Sequence, residues 1–141
     1  IQFGVTYTGI EGMSISYAAG DDSSPVADAA SASVFKASYA YGPVTVAYSD
    51  FEYDHSTNSN DDDMTAAKIS YTVSDEISIS YATEEVETGS LLTAEYEEIA
   101  VDYTSGGMTL SASMGEATDI DGTTTATEDR ERWYLGASFA F

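Results

Sequence analysis

Apolar and polar residues alternate along most of this chain. Ile69, Tyr71 and Val73 share one parity and Lys68, Ser70 and Thr72 the other; the same holds for Ile77, Ile79 and Tyr81 against Ser78 and Ser80. A period of two is the mark of a strand with one apolar face. Following the alternation outward predicts nine strands, over residues 1–8, 13–19, 32–41, 44–53, 64–73, 77–83, 93–104, 108–116 and 130–141. The connections alternate between short ones ("GIEG", "GP", "SDE", "SGG") and long ones ("GDDSSPVADAAS", "DHSTNSNDDD", "EEVETGSL", "ATDIDGTTTATED"). Gly, Pro, Ser and Asp in the short ones are hairpin-turn residues.

The hairpins repeat. The segments "YTGIEGMSISYA", "YAYGPVTVAYSD", "YTVSDEISISYA" and "YTSGGMTLSASM" begin at Tyr7, Tyr39, Tyr71 and Tyr103, each 32 residues after the last. The chain therefore reads as a single unit over 1–141, made of four hairpin repeats and one further strand.

The two parities differ in kind. One carries Phe3, Val5, Met13, Ile15, Tyr17, Val46, Tyr48, Ile99, Val101 and Leu110; the other carries Thr6, Ser14, Ser16, Ser38, Thr45, Ser49, Ser111 and Ser113. Aromatics sit near the strand ends with aliphatics between them, as in the girdles and band of a barrel immersed in lipid. Only a closed barrel pairs every strand backbone group inside a membrane. The fold class expected is all-β: an antiparallel transmembrane β-barrel whose small-polar face lines water.

Charge narrows the partners. The chain holds 25 acidic and 4 basic residues, a formal charge of -21. That excludes general binding to nucleic acid phosphates, which depends on lysine and arginine. Cysteine is absent, so there is no disulfide or thiolate metal site. "NSNDDD" and "DIDG" offer oxygen ligands without the spacing and terminal Glu of a dedicated calcium loop, and neither a metal nor a cofactor is expected. The one histidine, His55 beside Asp54, has no companion nucleophile or base in its loop, so an enzyme is not expected.

The chain ends in "RWYLGASFAF", with Trp133, Leu135, Ala137, Phe139 and Phe141 on one parity. This strand and the Tyr-anchored hairpins resemble the C-terminal half of a Gram-negative outer-membrane general porin of the alphaproteobacterial type. The resemblance implies that Trp133, Phe139 and the terminal Phe141 belong to a strand read by the barrel-assembly machinery. It also implies that Tyr7, Tyr39, Tyr71 and Tyr103 form a membrane girdle. Strand parity points the same way, because the first and last strands both run toward the short-turn end. Nine strands then match strands eight to sixteen of a sixteen-stranded barrel; a complete barrel of eight or ten strands is the alternative.

On that resemblance the protein is a channel for passive diffusion of small hydrophilic solutes and ions across the bacterial outer membrane. It is expected to be a homotrimer in contact with lipid and lipopolysaccharide. Strand parity assigns Lys36, Lys68, Glu98, Asp102 and Arg132 to the pore lining. The long connections carry Asp21, Asp22, Asp61, Asp62, Asp63, Glu84, Glu85, Asp119 and Asp121 without any lysine or arginine, which predicts an acidic, cation-attracting outer mouth. The competing function is a structural or adhesive acidic β protein of the cell surface that conducts nothing.

Overall fold

The computed structural model describes residues 2–22, 30–55, 61–89, 91, 93–120 and 128–140. Nine strands form one sheet: β1 Gln2–Tyr7, β2 Met13–Asp22, β3 Ala30–Tyr41, β4 Val44–Asp54, β5 Asp62–Thr72, β6 Ile77–Thr88, β7 Ala94–Ser105, β8 Met108–Thr118 and β9 Arg130–Phe139. Their order in the sheet is their order in the chain, every neighbouring pair is antiparallel, and β1 and β9 are its two edges. No described residue is helical.

Turn chemistry sets the short-turn end. Gly42 has φ of 57° and is followed by Pro43, so a positive φ and then a fixed negative one join Tyr41 to its partner Val44. Gly106 and Gly107 both have positive φ, at 57° and 82°, the geometry of a two-residue turn that carries the right-handed twist from β7 into β8. At Gly12, φ is 76° and an added Cβ would stand 2.2 Å from the Ala40 carbonyl oxygen. No other residue fits there.

The 32-residue period reappears as stitching between adjacent turns. The Ala40, Thr72 and Thr104 amides donate to the Gly12, Pro43 and Glu76 carbonyls, each at 2.8 Å, and Ala140 N donates to Gly107 O at 2.7 Å. Each turn thus tethers the strand that begins the next one, and register passes along the sheet.

The sheet is a single layer. Among the described residues none is buried, apolar or polar, and Trp133 and Leu135 are 75% and 81% exposed. Among the described residues no second layer covers the apolar face. On that face aromatics pair diagonally across strands: Phe3 with Tyr17 at 5.9 Å and Phe35 with Tyr48 at 6.3 Å between ring centroids. Tyr39 stacks on Tyr41 at 6.4 Å nearer the short turns.

The strands extend farther from the short turns than the alternation indicates. β2 continues to Asp22 and β6 to Thr88, while β5 starts at Asp62. This corrects the expected mouth loops: Asp21, Asp22, Asp62, Asp63, Glu84 and Glu85 lie in strands. The physical reason is that backbone pairing continues where side-chain alternation has stopped, because the ladder is made by N–H and C=O groups.

Candidate functional site

The small-polar face carries all four basic residues of the chain, on β3, β5 and β9. Lys36 pairs across the sheet with Ser16 on one side and Ser49 on the other. Lys68 lies between Ala47 and Ala82. The residues flanking both lysines are small, and together they line an open hollow that includes Ser14, Ser38, Ala66 and Glu84. Among the described residues no carboxylate lies within ion-pair distance of either lysine.

The β7–β9 part of the same face is built differently. Glu98, Gly115 and Arg132 stand in one cross-strand row, so the guanidinium crosses β8 over a glycine to reach Glu98 Oε2, with Nη2 at 3.3 Å. Ser113 Oγ donates to the same oxygen at 3.1 Å. Ser111 Oγ donates to Asp102 Oδ1 at 2.5 Å. The Arg132 and Glu98 side chains are 77% and 40% exposed, so water screens the pair and its contribution to stability is of the order of 0–1 kcal/mol. Arg130, on the same face, is held by Glu128.

The five expected lining residues, Lys36, Lys68, Glu98, Asp102 and Arg132, therefore share one face, and Arg132 and Glu98 are brought into contact. Sequence reasoning missed Arg130, Gly115 and the serines that hold the carboxylates. Arg130 has the parity of Arg132, which was a readable signal.

The expected girdle tyrosines Tyr7, Tyr39, Tyr71 and Tyr103 lie on the opposite, apolar face near the short turns, with Phe139 at the same end of β9. Trp133 is on that face farther up β9. Phe141 and Asp121 lie outside the described residues. Asp61 and Asp119 fall between strands: Asp61 Oδ1 accepts from His55 N at 2.7 Å, and Asp119 has φ of 55°. His55 packs at 6.4 Å against Tyr53.

The faces also depart from uniform polarity. Far from the short turns the apolar parity turns acidic, through Asp21, Asp50, Glu52, Asp54, Asp63, Glu85, Glu87, Glu95, Glu97, Glu116 and Glu131. Hydroxyls across the strands meet some of these, with Ser33 Oγ on Glu52 at 3.4 Å and Ser31 Oγ on Asp54 at 3.3 Å. Asp63, at the outer tip of β5, has its carboxyl pushed above the usual carboxylate range by desolvation and by its neighbours Glu87, Asp54, Asp61 and Asp50.

No protein-family model matches the chain, and no curated protein matches it. Among solved structures it is similar to in-vitro folded OmpT, an outer membrane protein of Vibrio cholerae, with a TM-score of 0.66 and 13% identity. The likeness covers 98% of this chain and 54% of that one, so the chain spans about half the length of the structure it matches. At that identity the likeness is one of fold: this nine-stranded antiparallel sheet has the architecture of an outer-membrane β-barrel wall.

Proposed function

We propose that the chain forms part of the wall of a porin of the bacterial outer membrane, a water-filled channel for passive diffusion of small hydrophilic solutes and ions. The observation that carries this reading is the pairing of two unlike faces on one uncovered layer. Leu110, Ile79, Val46 and Leu135 are exposed on one side, and Ser, Thr, Lys and Glu occupy the other. Lipid covers the first and water wets the second.

Such a wall performs no covalent chemistry; width and charge select what passes. Lys36 and Lys68 supply fixed positive charge on the β3–β5 part of the lining. Glu98, Asp102 and Arg132 supply a nearly neutral polar part. The carboxylates at the outer ends of the strands give the entrance a negative potential that concentrates cations. A homotrimer, contact with lipopolysaccharide and delivery by the barrel-assembly machinery belong to the same reading, as does its narrower form, a general porin of the alphaproteobacterial type.

The test is planar-bilayer conductance of the detergent-extracted native protein, with the reversal potential measured across a salt gradient. Large steps grouped in threes with a modest cation preference are expected. Folded, inserted protein that gives no steps would overturn the diffusion-pore reading and favour the structural or adhesive one.

A further inference from the structure

Part-way up the strands the girdle face turns from apolar to acidic, and on β4–β6 the amphipathic sense of the sheet inverts. Nearer the short turns, the girdle face presents Met13, Ile15 and Tyr17 on β2, Val44, Val46 and Tyr48 on β4, Ile77, Ile79 and Tyr81 on β6, and Tyr103, Val101 and Ile99 on β7. The next positions on that face are Asp50 and Glu52 on β4, Thr83 and Glu85 on β6, Glu97 and Glu95 on β7, Glu116 on β8 and Glu131 on β9. At the same level the opposite face of β3–β6 changes in the reverse direction, whereas on β7–β9 it carries Tyr96, Ala117 and Arg130. On β3–β6, Val34, Phe51, Met64 and Val86 lie in one unbroken cross-strand row, Val34 opposite Phe51, Phe51 opposite Met64 and Met64 opposite Val86. Acid outside with apolar residues inside is the pattern of a β sheet whose outer face is in water.

We propose that acyl chains touch this sheet only up to the level of Tyr17, Tyr48, Tyr81, Ile99, Met114 and Trp133. Beyond that level the outer ends of β4–β9 rise through the headgroup layer into water. The inference rests on the membrane-barrel reading and adds where its lipid contact stops. Hydrocarbon cannot solvate ionised carboxylates, so the acid-bearing positions stay out of it. A second copy of the same face is a poor cover, because Lys36, Lys68, Arg130 and Arg132 all lie on the opposite parity and like charges would meet.

The apolar band is short. With strands rising about 3.3 Å per residue and tilted by roughly 40°, each residue climbs ~2.5 Å along the membrane normal. The run from Ile77 to Tyr81 then spans about 10 Å and that from Phe139 to Trp133 about 15 Å, against ~25 Å in a usual barrel. A band this short favours a locally thinned bilayer.

This chain holds no cysteine to compete with an introduced one, and any cysteine elsewhere in the full-length protein is first replaced by serine. In the full-length protein in phospholipid nanodiscs, a charged, water-soluble maleimide is expected to label Glu85→Cys and Glu95→Cys. It is expected to fail on Ile79→Cys and Val101→Cys, which a lipid-soluble maleimide reaches. Without any substitution, a water-soluble carbodiimide with a charged amine should modify Glu85, Glu87 and Glu95 in the lipid-embedded protein. Shielding of these glutamates in lipid, with modification restored on unfolding, would overturn the boundary and leave the barrel reading standing. Free labelling at Ile79 and Val101 as well would overturn both.

Discussion

The β3–β5 and β7–β9 parts of the small-polar face use the same residue types to different ends. On β3–β5, Lys36 and Lys68 stand among Ser16, Ser49, Ala47 and Ala82 with no carboxylate in ion-pair reach among the described residues. On β7–β9, the carboxylates of Glu98 and Asp102 accept bonds from Ser113, Ser111 and Arg132. Counted together, these charges nearly cancel. Their arrangement by strand leaves an electropositive stripe beside a compensated one, and in the proposed channel an ion would respond to local field rather than to the sum.

The strongest way to break this contrast is to invert the stripe. Lys36→Glu with Lys68→Glu should raise the cation-to-anion permeability ratio severalfold, read as a shift of reversal potential across a salt gradient. Among the described residues neither lysine has an ion-pair partner to lose, so folded yield should be unchanged. A ratio that does not move would remove both lysines from the conducting path.

On the other side, Arg132→Ala should produce a smaller shift in the same direction, since it frees one carboxylate where the first change swaps two charges. Gly115→Val should mimic it in part. A Cβ at Gly115 would lie 3.1 Å from the Glu97 carbonyl oxygen and 3.9 Å from the Glu98 Cβ, crowding the path of the guanidinium over β8. If Gly115→Val leaves selectivity at the wild-type value while Arg132→Ala moves it, the crossing over β8 is not what sets the Arg132 charge.

Glu98→Gln should change little in stability, about 0–1 kcal/mol by denaturant midpoint, because both partners are wet. Its selectivity shift should run opposite to that of Arg132→Ala. A large loss of stability would mean that the Glu98 cluster holds the β7–β9 register.

How much of this arrangement the sequence discloses depends on which connection sets the register. A two-residue turn at Gly106 and Gly107 places Glu98 opposite Gly115, so that half of the cluster follows from alternation and turn chemistry. The β8–β9 register follows a long connection, and nothing in its composition says that Gly115 faces Arg132. Strand existence and facing are legible wherever Ser or Thr alternates with Ile or Tyr. Strand ends are not: from Thr83 to Glu87 the side chains read Thr, Glu, Glu, Val, Glu, which resembles a loop, yet the backbone of β6 stays paired with β5 throughout and with β7 as far as Val86. Of the Val34–Phe51–Met64–Val86 row only Val86 lies beyond the strands that alternation predicts; the row escapes because it exists only in the cross-strand register.

The outer face supplies a control for the whole comparison, and Asp63 is its most sensitive member. Its carboxyl is pushed up by desolvation and by Glu87, Asp54, Asp61 and Asp50, so the folded state prefers the protonated acid more than the unfolded chain does. For a carboxyl raised in this way the folded protein holds the proton longer as pH rises. Stability is therefore lost as pH climbs from the ordinary carboxylate range through the raised value, and the loss persists at neutral pH. Asp63→Asn should recover that loss, slightly raising the thermal midpoint at neutral pH in low salt. The gain should fade in acid, where the aspartate is already protonated, and shrink in high salt, where neighbouring charges are screened. Because Asp63 lies on the opposite parity from Lys36 and Glu98, its effect on ion selectivity should be smaller than that of any lining substitution. A selectivity change as large as that of the double lysine reversal would mean that the entrance field, not the two stripes of the wall, governs what passes.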